Sequence, residues 1–243
     1  MPDNHYENIK LAQLYDMGSP WNNEREFYFS LPNSNTKSIL DIGSGTGLIA
    51  RALTKKGYLV TAIDPSLSML KVGKNSPFGD KVTWIRSSAQ SFKLNQSFDL
   101  IIMTGNAFQV LLKNKDILEA LTNMKKHLNP KGRIAFETRN PMVDWQKNWD
   151  TDNIQKTNNK NVHISRRFLS LENNIMSFVH TYKFSHKILT SESKIRFSSH
   201  IEIKKLIHQS NLCIDKLYGD WDKEEFNQTE NHKEMVFILK HQK

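Results

Sequence analysis

The stretch KSILDIGSGTGLIARALTKKG (37–57) constrains the fold more than any other part of the chain. An apolar, β-branched run ends on Asp41, gives way to Gly43, Gly45 and Gly47 at alternate positions, and resumes at helical spacing. A strand, a glycine turn and an amphipathic helix closed by Gly57 are expected in direct succession. Such a turn lets a ligand approach the backbone closely, because glycine has no Cβ to block it.

The same alternation continues downstream. YLVTAID (58–64), KVTWIRS (81–87), FDLIIMT (98–104) and GRIAFET (132–138) read as strands. PSLSMLKVGK (65–74), with Pro65 in its first turn, and DILEALTNMKKHL (116–128), stopped by NPKG (129–132), read as helices. Strands alternating with helices predict an α/β, doubly wound, mostly parallel sheet covered on both faces. Beyond it, NVHISRRFLSL (161–171) and IMSFVHTYKFSHKI (175–188) alternate with period two around ENN (172–174). They predict an antiparallel hairpin inside an insertion over 139–197 that follows the fifth strand. SSHIEIKKLIHQS (198–210) reads as a helix capped by Ser198 or Ser199, and LCIDKLY (212–218) and EMVFILKH (234–241) complete a seven-stranded sheet. No linker interrupts the chain, so 1–243 is expected to be one domain.

Composition narrows the function classes. With 38% hydrophobic and 24% charged residues, the chain reads as globular. No apolar run approaches the roughly 20 residues of a membrane helix, and no membrane partner is expected. MPDNHYENIK has neither the basic flank nor the apolar segment of a secretory signal, which points to the cytoplasm. Cys213 is the only cysteine, which excludes an intramolecular disulfide and a cysteine zinc cluster; it reads as a buried small hydrophobe. A net charge of +9 raises RNA as a partner. The lysines are spread through polar stretches such as NSNTK (33–37) and NIQKTNNKN (153–161), however, with no basic cluster interleaved with aromatics, so nucleic acid is not favoured.

The glycine turn excludes two ligand types. Leu48 stands where the dinucleotide fingerprint G-x-G-x-x-G needs its third glycine, and no Gly-Lys-Ser/Thr follows for a phosphate loop. Asp64 ends the second strand about 20 residues after the first glycine, where a carboxylate can accept both hydroxyls of a ribose. The alternative for Asp64 is a cap on the helix that follows.

D-x-G-x-G-x-G between a strand and a helix resembles motif I of the class I S-adenosylmethionine-dependent methyltransferases of the bacterial small-molecule type. The resemblance implies that Gly43, Gly45 and Gly47 pass beneath the methionine part of S-adenosylmethionine, with Asp41 near its sulfonium end. It also implies a cofactor site including Asp64, Pro65 and Met69, with Ser88, Ala89 and Gln90 at the adenine, where Ser88 replaces the family's usual acid. FDLIIMTGNAFQVL (98–111) resembles motif IV, which implies that Thr104, Gly105 and Phe108 line the cleft and that Asn106 faces the substrate. LAQLYDMGSPWNNEREFY (11–28) resembles the family's leading lid helices, here 1–30, and implies Tyr15 and Trp21 as walls. RFSSHIEIKKLIHQSNLCIDKLYGDWD (196–222) resembles the family's closing segment, which implies a last, antiparallel strand returning to the sheet edge.

The implied reaction is methyl transfer from S-adenosylmethionine to an oxygen or nitrogen of a small molecule. The alternatives are methylation of RNA, a non-catalytic cofactor-binding protein, and NAD binding, which Leu48 disfavours. The Asn/Asp-Pro-Pro-aromatic sequence typical of base-amine chemistry is absent after the fourth strand, and Glu137 and Asp144 are too few for a catalytic metal. No general base can be named and no metal is expected. Arg139 either grips an anionic group of the substrate or forms a surface ion pair. Trp145 and Trp149 either wall a pocket or form the core of the insertion. Phe178, His180, Tyr182, Phe184 and His186 share one strand face, expected to pack on the sheet, with His180 or His186 as the alternative base.

Overall fold

A computed structural model describes residues 4–18, 20–157 and 160–242. Four short helices come first: α1 (Asn4–Glu7), α2 (Ile9–Ala12), α3 (Tyr15–Gly18) and α4 (Asn23–Ser30). The alternating half follows as β1 (Ser38–Ile42), α5 (Leu48–Lys55), β2 (Leu59–Asp64), α6 (Leu67–Lys74), β3 (Thr83–Arg86), β4 (Phe98–Met103), α7 (Asn114–Lys126) and β5 (Leu128–Arg139). The NPKG stretch lies inside β5 and not in a loop. Leu128 pairs with Phe98 and Arg133 with Leu100, so residues 129–132 bulge away from β4 while the chain stays extended.

Next come β6 (Thr151–Thr157), β7 (Lys160–Glu172), β8 (Ile175–Lys183) and β9 (Ile188–Arg196), then α8 (His200–Gln209), β10 (Leu212–Tyr218) and β11 (Glu234–His241). Ser199 caps α8, its side chain accepting from the Glu202 amide.

Seven strands form one sheet in the order β3-β2-β1-β4-β5-β11-β10, parallel except for β11. Both faces are covered. Leu40 and Ile42 point into a core shared with α7 and α8, while Ile39 points into one shared with α4 and α5. That double coverage explains why β1 and β4 read as continuous apolar runs. Strand order reverses between β1 and β4, so the carboxyl ends of these two strands flank a crevice. The expected return of the last strand to the edge is corrected: β11 is interior and β10 is the edge. Cys213 on that edge strand is half-buried, not buried.

The insertion is larger than a hairpin. β7 and β8 do turn through Asn173 and Asn174, whose φ values of 50° and 63° suit a two-residue hairpin loop. They are the inner pair of a four-stranded antiparallel sheet, β6-β7-β8-β9. β9 escaped notice because its inward positions hold Ser191 and Ser193, both buried, where alternation would call for apolar residues. β6 overlaps the polar stretch NIQKTNNKN (153–161), of which residues 158 and 159 are outside the described residues. Phe184 and His186 fall beyond β8, in a turn where the Phe184 amide donates to the Lys187 carbonyl. The shared face is therefore Phe178, His180 and Tyr182. It packs on Trp149, His5 and the Leu11–Leu14 pair, not on the parallel sheet.

Candidate active site

The crevice is built from turns. Gly43, Gly45 and Gly47 all take left-handed backbone, with φ of 66°, 56° and 68°. Their surroundings differ. A Cβ on Gly47 would stand 2.3 Å from the Trp84 ring, and one on Gly43 would stand 2.8 Å from Ala107. At Gly45 the nearest atom is Tyr15 Cε1 at 3.6 Å, an ordinary van der Waals contact, so Gly45 is the least crowded of the three.

Asp64 is buried at the end of β2. One carboxylate oxygen accepts from the Gly45 amide and the other from the Ser66 amide, both at 2.8 Å. Burial pushes its carboxyl up to about 6 against these two bonds. The side chain thus fixes the glycine turn, and its remaining lone pairs are free for further donors. The capping role belongs to Ser66, whose Oγ accepts from the Met69 amide. Pro65 is half-buried beside it and Met69 is buried on the first turn of α6.

Asp41 is 1% exposed, and its Oδ1 has no hydrogen-bond partner. Burial, and then the nearby Asp64, push it up to about 7. An orphaned buried carboxylate oxygen is costly unless something else satisfies it. A cationic, hydrogen-bond-donating ligand fits that position.

The N-terminal helices are fastened over the turn. Asp16 accepts from Thr46 Oγ1 and from Arg51, the latter at 2.9 Å. Ser66 Oγ donates to the Tyr6 carbonyl and Ser68 Oγ to the Glu7 carbonyl. Tyr15 is half-buried, and the loss of water around its phenol pushes it up to about 12, so the hydroxyl stays protonated. Trp21 does not join Tyr15. It is 41% exposed, its indole donates to Glu26, and its ring meets Phe29. The structure corrects that expectation, because the turn before α4 carries residue 21 to the outer face.

After β3, Ser88 Oγ is hydrogen-bonded to Ser91 Oγ at 2.8 Å. Asn123 of α7 holds the loop by donating to the Ala89 and Phe92 carbonyls, with Gln90 half-buried between them. After β4, half-buried Thr104 leads to Gly105, whose amide donates to Glu24 at 2.9 Å, and to Asn106, whose amide donates to Glu137. Asn106 takes φ 58°, and its buried Oδ1 has no partner. Phe108 is corrected. It is 2% exposed and stacks on Phe136 at 4.3 Å, which continues onto Phe237, so it belongs to the core.

The far wall is charged. Glu137 is fully buried, accepts from Tyr28 and Asn106, and is held well above the usual carboxylate range by burial and then by Glu24. Arg139 donates to Gln109 at 2.7 Å and lies within 5.5 Å of the Trp145 ring centre. Trp145 donates to the Asn140 carbonyl and packs edge-on against Trp149, as core of the insertion. His180 is stacked on His5 at 4.4 Å and held down at about 3 by burial, with His5 and Arg166 adding to the effect. A ring so hard to protonate is a weak base. His186 lies in the exposed turn, away from this wall. Among the described residues no group of acids, histidines or cysteines is placed to hold a metal.

Sequence reasoning missed Glu24, Gln109 and Arg166. None has a spacing that ties it to the glycine turn. Glu137 entered the sequence reading only in the argument against a metal, although a lone acid among the apolar residues of IAFETR (134–139) is itself a signal.

Residues 39–132 match the family model described as a methyltransferase domain. A ubiquinone biosynthesis O-methyltransferase of Rickettsia canadensis is 30% identical over 106 residues, 43% of this chain and 43% of that one. The match thus spans less than half of that relative. The CcbJ methyltransferase of Streptomyces caelestis superposes with a TM-score of 0.81 at 16% identity, covering 100% of both chains. The sugar N-methyltransferase KedS8 of Streptoalloteichus sp. superposes with a TM-score of 0.76 at 11% identity, covering 100% of this chain and 95% of that one. The chain has the class I methyltransferase fold. The match over residues 39–132 agrees with the resemblance carried by the glycine turn.

Proposed function

We propose that the protein transfers a methyl group from S-adenosylmethionine to an oxygen or nitrogen of a small molecule. The observation that carries this reading is the pair of buried acids at the Gly45 turn, Asp41 with an orphaned carboxylate oxygen and Asp64 tied to the turn. When bound, S-adenosylmethionine supplies a methyl group on a cationic sulfur. Asp64 would hold the ribose hydroxyls, with Pro65 and Met69 beside it. Asp41 would face the charged methionine end above Gly43, Gly45 and Gly47. Ser88, Ala89 and Gln90 would border the adenine, with main-chain groups replacing the missing acid. Tyr15, Thr104 and Gly105 would close the methyl end, and Asn106 and Arg139 would face the acceptor. Holding the acceptor in line and excluding water supplies much of the acceleration for such a displacement, so no dedicated base is required.

The small-molecule acceptor is supported by two relatives of such kinds, the O-methyltransferase of ubiquinone biosynthesis and the sugar N-methyltransferase. The segment 1–30 would act as a lid over the cofactor, and 139–197 as the acceptor-side cover. No helix among the described residues is long and apolar enough to cross a membrane, and we place the protein in the cytoplasm.

Calorimetric titration with S-adenosylhomocysteine, alongside NADH, tests the reading. Micromolar binding of the first alone is expected. Asp64→Asn should weaken it by roughly 1.5–3 kcal/mol, the worth of charged hydrogen bonds. Unchanged affinity in a folded variant would remove Asp64 from the site, and tight NADH binding would overturn the cofactor.

A further inference from the structure

The acceptor side of the crevice carries two arginines, of which only one has a side-chain acceptor among the described residues. Arg139, at the end of β5, and Arg166, on β7, both lie against Trp149, their guanidinium carbons 5.1 Å and 4.3 Å from its ring centre. Arg139 has company, with Gln109 accepting from it and Glu234 and Glu137 among the charges around it. Arg166 has little. Its Nε donates to the Trp149 carbonyl, and no acceptor among the described residues takes its Nη groups. The acid that acts on it, Asp150, accepts from the Phe168 amide and reaches Arg167 at 3.9 Å. Burial and the neighbouring Arg139 both make its charge harder to keep.

A second observation points the same way. Trp149 is 2% exposed, yet its indole N–H has no partner, and the Nδ1 of His180 next to this cluster is also unpartnered and buried. The Nη groups of Arg166 and the indole N–H of Trp149 are donors without acceptors among the described residues. Like charges sharing a desolvated wall are costly unless an anion lies between them. Stacking on Trp149 offsets part of that cost, but it leaves the Nη donors unused.

We propose that Arg166 and Arg139 form an oxyanion subsite that holds a carboxylate or phosphate group of the methyl acceptor. The inference rests on the methyltransferase reading, because Arg139 donates to Gln109, whose amide donates to the Asn106 carbonyl, and Glu137 accepts from the Asn106 amide. A planar guanidinium fork grips such a group in two parallel hydrogen bonds, which orients the acceptor as well as binding it. The subsite selects acceptors that carry an anion away from the methylated atom.

The test is calorimetric titration of the full chain, with and without saturating S-adenosylhomocysteine, using inorganic pyrophosphate in one arm and glutarate in the other. Saturable binding of one of them is expected, pyrophosphate marking a phosphate-bearing acceptor and glutarate a carboxylate-bearing one. Arg166→Gln should weaken it by roughly tenfold or more, the worth of a charged hydrogen bond. Arg167→Gln, which removes the surface pair with Asp152, should leave it unchanged. Should the glutamine variant fail to fold, Arg166→Lys keeps the charge without the fork and should bind several-fold more weakly, on the order of threefold to tenfold. Binding of neither anion, or equal loss in the Arg166 and Arg167 variants, overturns the subsite. Failure of the wild-type chain to bind S-adenosylhomocysteine overturns the cofactor reading instead, so the two failures are distinguishable.

Discussion

The seven-stranded sheet carries its functional groups on the turns that leave its strands, whereas the four-stranded sheet carries them on the strands themselves. At the first, Gly43, Gly45, Asp64 and Asn106 are placed by backbone geometry, and their neighbours in sequence dictate that geometry. At the second, Arg166 and His180 are placed by pairing register and by what packs on the sheet face, Trp149 and His5. Turn chemistry is local and unforgiving. Strand-face chemistry depends on distant partners, and one side chain can change with little effect on the backbone.

The largest test of this contrast lies in the glycine turn. Gly47→Ala should cost about 3 kcal/mol or more of stability, since left-handed strain adds to a clash with Trp84. Gly45→Ala should cost only about 1–2 kcal/mol, the strain alone. Urea unfolding of both variants checks the pair, and equal losses would mean that Trp84 yields.

The next effect is on pH. Burial raises Asp41 to about 7, Asp64 to about 6 and Glu234 to about 7. A carboxyl that is harder to ionise when folded stabilises the fold below its unfolded value, near 4, and loses that contribution as pH rises through the folded value. Ligand-free protein should therefore become less stable as pH rises from about 4 to about 7, and Asp41→Asn should flatten part of the profile. The same ionisation should strengthen binding of the cationic S-adenosylmethionine over that range. A flat wild-type profile in unfolding experiments would remove the burial argument.

Smaller effects are expected where the chain only turns between strands. Asn174→Ala, at φ 63°, should cost about 1 kcal/mol by thermal unfolding, and Asn174→Gly should not. Trp21→Ala should change S-adenosylhomocysteine affinity by less than about 0.5 kcal/mol, as befits a surface side chain. A larger loss would return Trp21 to the site.

What the sequence disclosed follows the same division. The turn after β1, the acid ending β2 and the whole alternating sheet could be read directly, because glycine, proline and apolar periodicity act over a few residues. β9 could not, since Ser191 and Ser193 break the alternation that marks a strand. Phe108 was misplaced because a one-residue difference in the turn after β4 decides between cleft and core. Glu24 and Arg166 reach the crevice only through packing of α4 and register of β7, and no local pattern encodes either.

The place of β11 between β5 and β10 bears on how the chain is assembled. Its residues come after every other strand in the chain, yet it occupies an interior position, joining Ala135 and Phe136 on one side to Leu217 and Tyr218 on the other. During synthesis the edge of β5 stays open until this strand emerges, with apolar groups and unpaired amides exposed. β10 has no other strand to pair with until then. A chain interrupted after residue 233 would therefore lose the joint of its sheet, and its β5 edge would be left to recruit a strand from another molecule.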